Sequence, residues 1–169
     1  YQKSVLKLTP QEVQFYGSLI YISWSIKPIF GYIVDKLLTR FKKVKYLIAA
    51  ASVIRFTVFG VVTAFDLPQP ALYALLAVNE ACAVSESILA EYSLMLVTKE
   101  QNKKDGSSAN NKLPIYFGFR SAGAVIGNFC GGRIIQSYSP KATWLICLSF
   151  PVVAFAASLL YNEKYVKKE

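Results

Sequence analysis

The chain has 169 residues, 54% of them hydrophobic, with 19 Lys and Arg against 10 Asp and Glu, a net charge of +9 and no histidine. Without histidine, any proton relay must run on carboxylates. Three cysteines, Cys82, Cys130 and Cys147, stand at no paired spacing, so neither a disulfide framework nor a zinc site is indicated. A charge of this size suggests nucleic acid, but a mean hydropathy of +0.36 and five long apolar runs point to a bilayer instead. The runs are 13–34, 46–65, 71–97, 113–136 and 142–161, each about 20 residues or longer, the length a helix needs to cross a membrane. Position 1 is tyrosine, so the sequence reads as a processed product or a fragment, and no signal peptide is visible.

Residues 1–12 form an outer loop. Thr9-Pro10-Gln11-Glu12 places Thr at the N-cap, Pro at N1 and Glu at N3, a capping box that starts the first helix. The first span carries Lys27, Pro28 and Gly31 and is expected to end at Asp35. Lys27, Gly31 and Asp35 are four apart and lie along one side of the helix. Pro28 cannot donate to the carbonyl of Trp24, which leaves an acceptor free beside Lys27. A carboxylate at a helix C-terminus meets the negative end of the macrodipole, so Asp35 calls for a cationic partner. The basic loop 36–45, with Lys36, Arg40, Lys42, Lys43 and Lys45, is the nearest source.

Arg55 lies near the middle of the second span, where a charge is costly against lipid. Asp66-Leu67-Pro68-Gln69-Pro70 is a tight turn. The third span carries Glu80, Glu86 and Glu91. Glu80 and Glu91 are eleven residues apart and nearly in phase on a helix, whereas Glu86 points well away from them. Loop 99–112 is polar and basic. The fourth span holds GFRSAGAVIGNFCGG, in which Gly123, Gly127 and Gly131 make a small-xxx-small stripe suited to close helix packing. The fifth span is free of charge, and Pro151 frees the carbonyl of Cys147 for a kink.

Twelve of the Lys and Arg fall in 36–45, 99–112 and 162–169, and only Lys3, Lys7 and Lys141 fall at the opposite ends of the spans. This is the positive-inside pattern, so 36–45, 99–112 and the C-terminal tail are expected in the cytoplasm. Lys27, Arg55, Arg120 and Arg133 remain inside the spans. By uniform helix rise, Lys27, Glu86 and Arg120 fall in one layer slightly inside the midplane, which permits a Lys27–Glu86 or an Arg120–Glu86 pair.

Trp24–Asp35, WSIKPIFGYIVD, resembles the second transmembrane helix of the folate-biopterin transporter family, a branch of the major facilitator superfamily that reads W-x-I-K-P-x-[FY]-G-[FY]-x-x-D here. GFRSAGAVIGNFCGG resembles that family's glycine-rich fifth helix, with Arg120 on its arginine. In the third span, Glu91 and Glu86 match the last two acids of a D-x-x-x-D-x-x-x-x-E run, Glu86 standing as Glu for Asp, and Cys82 replaces the first. The resemblance runs over most of the chain as helices two to six of a twelve-helix transporter. It implies an all-α membrane protein forming part of the N-terminal half, with the first helix and the C-terminal half supplied elsewhere. It also implies transport of folate, biopterin or a related organic solute by alternating access, with protons as a coupling ion. Gly31, Asp35, Arg40, Lys42 and Lys43 resemble the superfamily's cytoplasmic motif, which implies a conformational latch.

Lys27, Arg55 and Arg120 would give a cavity a positive field for an anion, and a buried carboxylate such as Glu86 could accept two hydrogen bonds from the 2-amino-pyrimidinone edge of a pterin. Trp24 and Phe30 could stack on the ring. The competing reading is structural: intramembrane Lys, Arg and Glu often pair to hold helices together. Two other functions stay open, a carrier of another organic anion and a truncated membrane protein that does not transport. An enzyme is the weakest class, for want of a nucleophile–base pair, a metal-ligand cluster or a phosphate loop at usable spacing, and no cofactor is expected.

Overall fold

A computed structural model describes residues 9–41, 43–105, 112–137 and 140–160. All regular structure among them is helical: α1 Pro10–Ser25, α2 Lys27–Phe41, α3 Val44–Ala64, α4 Gln69–Asp105, α5 Lys112–Ser137, α6 Pro140–Cys147 and α7 Ser149–Leu160. Three described segments are long and apolar enough to cross a membrane: Val44–Ala64, Gln69–Lys99 and Thr143–Leu160.

The first expected span is two helices. Ile26 sits between them at φ −97° and ψ 22°. Its amide still closes α1 on the carbonyl of Ile22 at 3.1 Å, and its carbonyl accepts from Ile29 at 2.9 Å, a tight turn that starts α2. Pro28, with no amide hydrogen, cannot continue the ladder through this point, and Lys27 becomes the first residue of the new helix. The last expected span breaks in the same way. Leu148 separates α6 from α7, three residues before Pro151, so the kink foreseen at Pro151 is a full interruption.

Two expected boundaries are corrected. α2 does not stop at Asp35 but runs on to Phe41, because Lys36, Leu37, Leu38 and Arg40 are good helix formers and the macrodipole penalty at Asp35 disappears once the helix continues. Arg40 then occupies the last turn, where its charge suits the dipole. Likewise α4 continues through Lys99-Glu100-Gln101-Asn102-Lys103-Lys104 to Asp105, so the polar segment expected as a loop from 99 begins as helix. At 37 residues α4 is about 55 Å long, well beyond the hydrocarbon thickness of about 30 Å. The start of α1 is as expected: the Thr9 hydroxyl accepts from the Glu12 amide at 3.3 Å and the Glu12 carboxylate accepts from the Thr9 amide at 2.8 Å.

α4 is the central element and packs against α1, α2 and α3, while α3 also packs against α6 and α7. Two apolar clusters lie along it. One joins Val58 and Val62 of α3 to Leu72, Tyr73 and Leu76 of α4, with Tyr16 and Trp144 against it. Tyr16 stacks on Tyr73 with ring centroids 4.0 Å apart. The other joins Val34 and Val44 to Leu89. α5 is mostly bare. Phe119 is 78% exposed and Phe129 70%, and a Cβ placed at Gly123, Gly127 or Gly131 meets nothing within 4 Å. The close neighbour expected on the glycine stripe is therefore not supplied by the described residues.

Candidate functional site

The polar groups of the helices meet at three carboxylates on α4: Glu80, Glu86 and Glu91. Their phases decide which neighbours they reach. Glu80 and Glu91 face α1 and α2, as their eleven-residue spacing requires, and Glu86 is turned by about 140° from Glu91, toward α3.

Glu91 accepts from two cations on different helices. Lys27 Nζ lies 2.7 Å from Oε1 and 3.0 Å from Oε2, and Arg120 Nη1 lies 3.0 Å from Oε1. Ser87, one turn back on α4, donates to the same Oε1 at 3.1 Å. The break at Ile26 places Lys27 on the first turn of α2, so its chain leaves the kink toward α4. Arg120 also lies over the Trp24 ring, its guanidinium carbon 5.1 Å from the centroid, a cation–π contact joining α5 to α1. The side chains are partly open: Lys27 is 30% exposed, Arg120 36% and Glu91 19%.

Glu86 is paired with Arg55 of α3 through Nη1, and its Oε1 accepts from Ser52 Oγ at 2.9 Å. Arg55 Nε donates to Asn79 Oδ1 at 3.2 Å. This group is more enclosed, with Arg55 18% exposed, Glu86 13% and Ser52 buried. Glu86 also lines an open, largely apolar pocket of about 560 Å³ with Ile48, Ala90, Tyr116 and Ala157.

Among the described residues, the donors to Glu80 are neutral. Trp24 Nε1 donates to Oε2 at 2.9 Å and Asn79 Nδ2 to Oε1 at 3.4 Å. Asn79 is buried and therefore bridges Glu80 to Arg55.

Of the expected site residues, the fold brings Lys27 together with Arg120, and Arg55 together with Glu86. It does not form the Lys27–Glu86 or Arg120–Glu86 pair, and both cations go to Glu91. Depth along straight helices pointed to Glu86, whereas angular position around α4 selected Glu91. Ser52, Asn79, Glu80 and Ser87 were not anticipated as site residues. The phase match of Glu80 with Glu91, and Ser87 four residues before Glu91, were the signals that could have found two of them. Cys82, in the position of the family's first acid, is a free thiol.

The residues expected from the resemblance to form a latch lie apart from this network. Asp35 and Arg40 are exposed on α2, and Asp35 forms no ion pair among the described residues. Arg40 lines an open groove with Tyr32, Lys36 and Thr39. Lys36 lies 4.7 Å from the Tyr32 centroid and Lys43 4.9 Å from the Tyr46 centroid. Lys42 lies outside the described residues, as do 106–111 of the expected cytoplasmic loop and the tail 161–169. Gly31, half-buried on α2, meets nothing within 4 Å of an added Cβ.

Long apolar helices joined across their faces by ion pairs define an integral, multi-pass membrane protein. The model of the BT1 family matches residues 1–169, the whole chain, and the chain belongs to that family. A curated relative from Arabidopsis thaliana, "Probable folate-biopterin transporter 6", is 25% identical over 167 residues, which cover 97% of this chain and 32% of the relative. The chain thus spans about a third of the length of that relative. No solved structure matches it.

Proposed function

We propose that this chain is part of a carrier that moves folate, biopterin or a related organic anion across a membrane by alternating access. The observation that carries the reading is the convergence of Lys27 and Arg120 on Glu91. Two cations share one carboxylate, so the site holds a surplus positive charge next to it and remains partly open. Lys27 stands at a helix break, the kind of interruption that carriers use to build solute sites inside the bilayer. A carboxylate on the solute would replace Glu91 on one of the two cations, exchanging one ion pair for another at little net cost. The Trp24 ring beside Arg120 supplies a flat face for a pterin. Arg55 and Glu86 serve the site as the enclosed pair that fixes α3 to α4 behind it.

In this reading the broken pair α1–α2 makes one crossing, α3, α4 and α5 one each, and α6–α7 the fifth. These crossings correspond to helices two to six of the N-terminal half, with 36–45 and 99–112 in the cytoplasm. The bare face of α5 fits contact with the remaining helices of the complete carrier, so the chain by itself is not expected to transport. Gly31, Asp35, Arg40, Lys42 and Lys43 act as the latch of one access state.

The test is uptake of labelled folate, biopterin and S-adenosylmethionine into vesicles that carry the complete polypeptide. Saturable uptake of folate or biopterin, weakened by Lys27→Met, is the expected result. Uptake indifferent to Lys27 and Arg120 would overturn the assignment of the site.

A further inference from the structure

Three acids lie on α4, and their partners differ in kind. Glu91 has two cations and Glu86 has one. Glu80 has no cation within ion-pairing distance among the described residues; its oxygens rest on the Trp24 indole N–H and the Asn79 amide. A carboxylate inside a membrane span without a counter-charge is costly, and it relieves that cost most directly by taking up a proton. From this contrast, and resting on the carrier reading above, we infer that Glu80 is the proton-binding residue of this protein.

The charged and titratable groups around Glu80 support the assignment. On α3 Arg55 reaches Glu80 only through Asn79, whose amide accepts from Arg55 and donates to Glu80. On α2 Lys27, and on α5 Arg120, are committed to Glu91. Cys82 of α4 and Cys147 of α6 lie in the field of Arg55, and Tyr16 of α1 is stacked on Tyr73 of α4. None of these can neutralise Glu80 directly. Glu80 is half-buried, so water can deliver the proton.

The step is a plain proton transfer: an O–H bond forms on Glu80, and the proton returns to water when the site opens to the other side. The O–H oxygen of a carboxylic acid is a poorer acceptor than a carboxylate oxygen, so the bond from Trp24 or from Asn79 weakens. Trp24 makes this change felt elsewhere. Its N–H rests on Glu80 and its ring face on Arg120, which holds Glu91. The proton and the solute therefore act on one tryptophan from two sides. Through Asn79 the same proton reaches Arg55 and Glu86, so both networks register the protonation state of Glu80.

The experiment uses the complete polypeptide in lipid vesicles, in a background where Trp24 is the sole tryptophan. Trp24 emission is followed against pH without solute, so the result does not depend on which solute is carried. We expect one sigmoidal transition, abolished by Glu80→Gln and preserved with a moved midpoint by Glu80→Asp. Labelled folate and biopterin uptake is then driven by an inward proton gradient. Glu80→Gln is expected to lose gradient-driven accumulation by tenfold or more while retaining exchange of solute for solute, which needs no net proton movement. Should Glu80→Gln fail to fold, Trp24→Phe serves in its place: it removes one donor from the carboxylate and is expected to change the pH profile of uptake, and an unchanged profile would overturn the inference. An unchanged Trp24 titration in Glu80→Gln, or gradient-driven accumulation that survives it, would overturn the inference. A normal Trp24 titration with no uptake of either solute would overturn the carrier reading instead.

Discussion

Glu86 and Glu91 are five residues apart on one helix, yet they are held in opposite ways. Glu86 is matched one to one by Arg55, backed by Ser52, and more enclosed. Glu91 is outnumbered by Lys27 and Arg120 from two further helices, and those cations are the most open of the set. A closed, balanced pair holds two helices together. An open, unbalanced one has a cation to offer. In the function proposed above, this difference is what assigns Arg55–Glu86 to the scaffold and Glu91 with its two cations to the solute site, within about a turn and a half of α4.

The largest effect should come from unbalancing the closed pair. Arg55→Met leaves Glu86 without its cation in an enclosed setting and is expected to destabilise the complete protein by about 3–5 kcal/mol, read as lost folded yield and a lower melting temperature in lipid. Arg55→Met/Glu86→Gln should recover most of that loss, because no lone charge remains. A double variant as unstable as the single one would show that Arg55 acts through packing and not through Glu86.

The open node should respond differently. Lys27→Met is expected to weaken folate or biopterin binding about tenfold, the value of one charge-assisted contact, with a smaller loss of stability because Arg120 still covers Glu91. Lys27→Arg should recover binding in part, since a planar guanidinium cannot reproduce a point ammonium. Lys27→Met/Glu91→Gln tests the two roles against each other. Recovery of stability without recovery of affinity supports solute contact, and full recovery of both makes the node a second structural pair.

A smaller effect is expected at the start of α1, far from either node. Thr9→Ala removes the capping hydroxyl and should lower the melting temperature by about 2 °C. The Thr9 backbone amide, with help from the Thr9 hydroxyl, holds the Glu12 carboxyl below its ordinary value. A carboxyl depressed in the folded state stabilises above its unfolded value and loses that contribution as pH falls through its folded one. The difference between wild type and Thr9→Ala should therefore be present at neutral pH and shrink in acid, as melting curves across acid pH would show.

The smallest stability effect belongs to Asp35. It is exposed and forms no described ion pair, so Asp35→Asn should change the melting temperature by less than about 1 °C. If Asp35 latches one access state, the same variant slows transport with little loss of solute binding. Equal loss of both would move Asp35 into the site, and no change in either would remove the latch.

What the sequence determined by itself follows from one-dimensional quantities. Apolar run length gave the crossings by α3 and α4, Thr9 and Glu12 gave the start of α1, and Pro151 marked where the last span bends, whereas Pro28 was read only as freeing a carbonyl and the break at Ile26 was not foreseen. WSIKPIFGYIVD and the glycine-rich run gave the family, because those motifs are local strings. The eleven-residue spacing correctly set Glu80 and Glu91 on one side of α4 and Glu86 on another. Ends of helices were less legible: α2 and α4 run past Asp35 and Val97 because basic and acidic residues make good helix once outside the hydrocarbon, where polarity no longer signals a stop. Partner choice was legible least of all. Counting rise along straight helices put Lys27 level with Glu86. The kink at Ile26 and the rotation of α4 sent Lys27 to Glu91, left Arg55 for Glu86 and gave Glu80 the neutral donors Trp24 and Asn79. Which cation meets which carboxylate depends on the relative tilt and rotation of packed helices, and only the tertiary structure contains those angles.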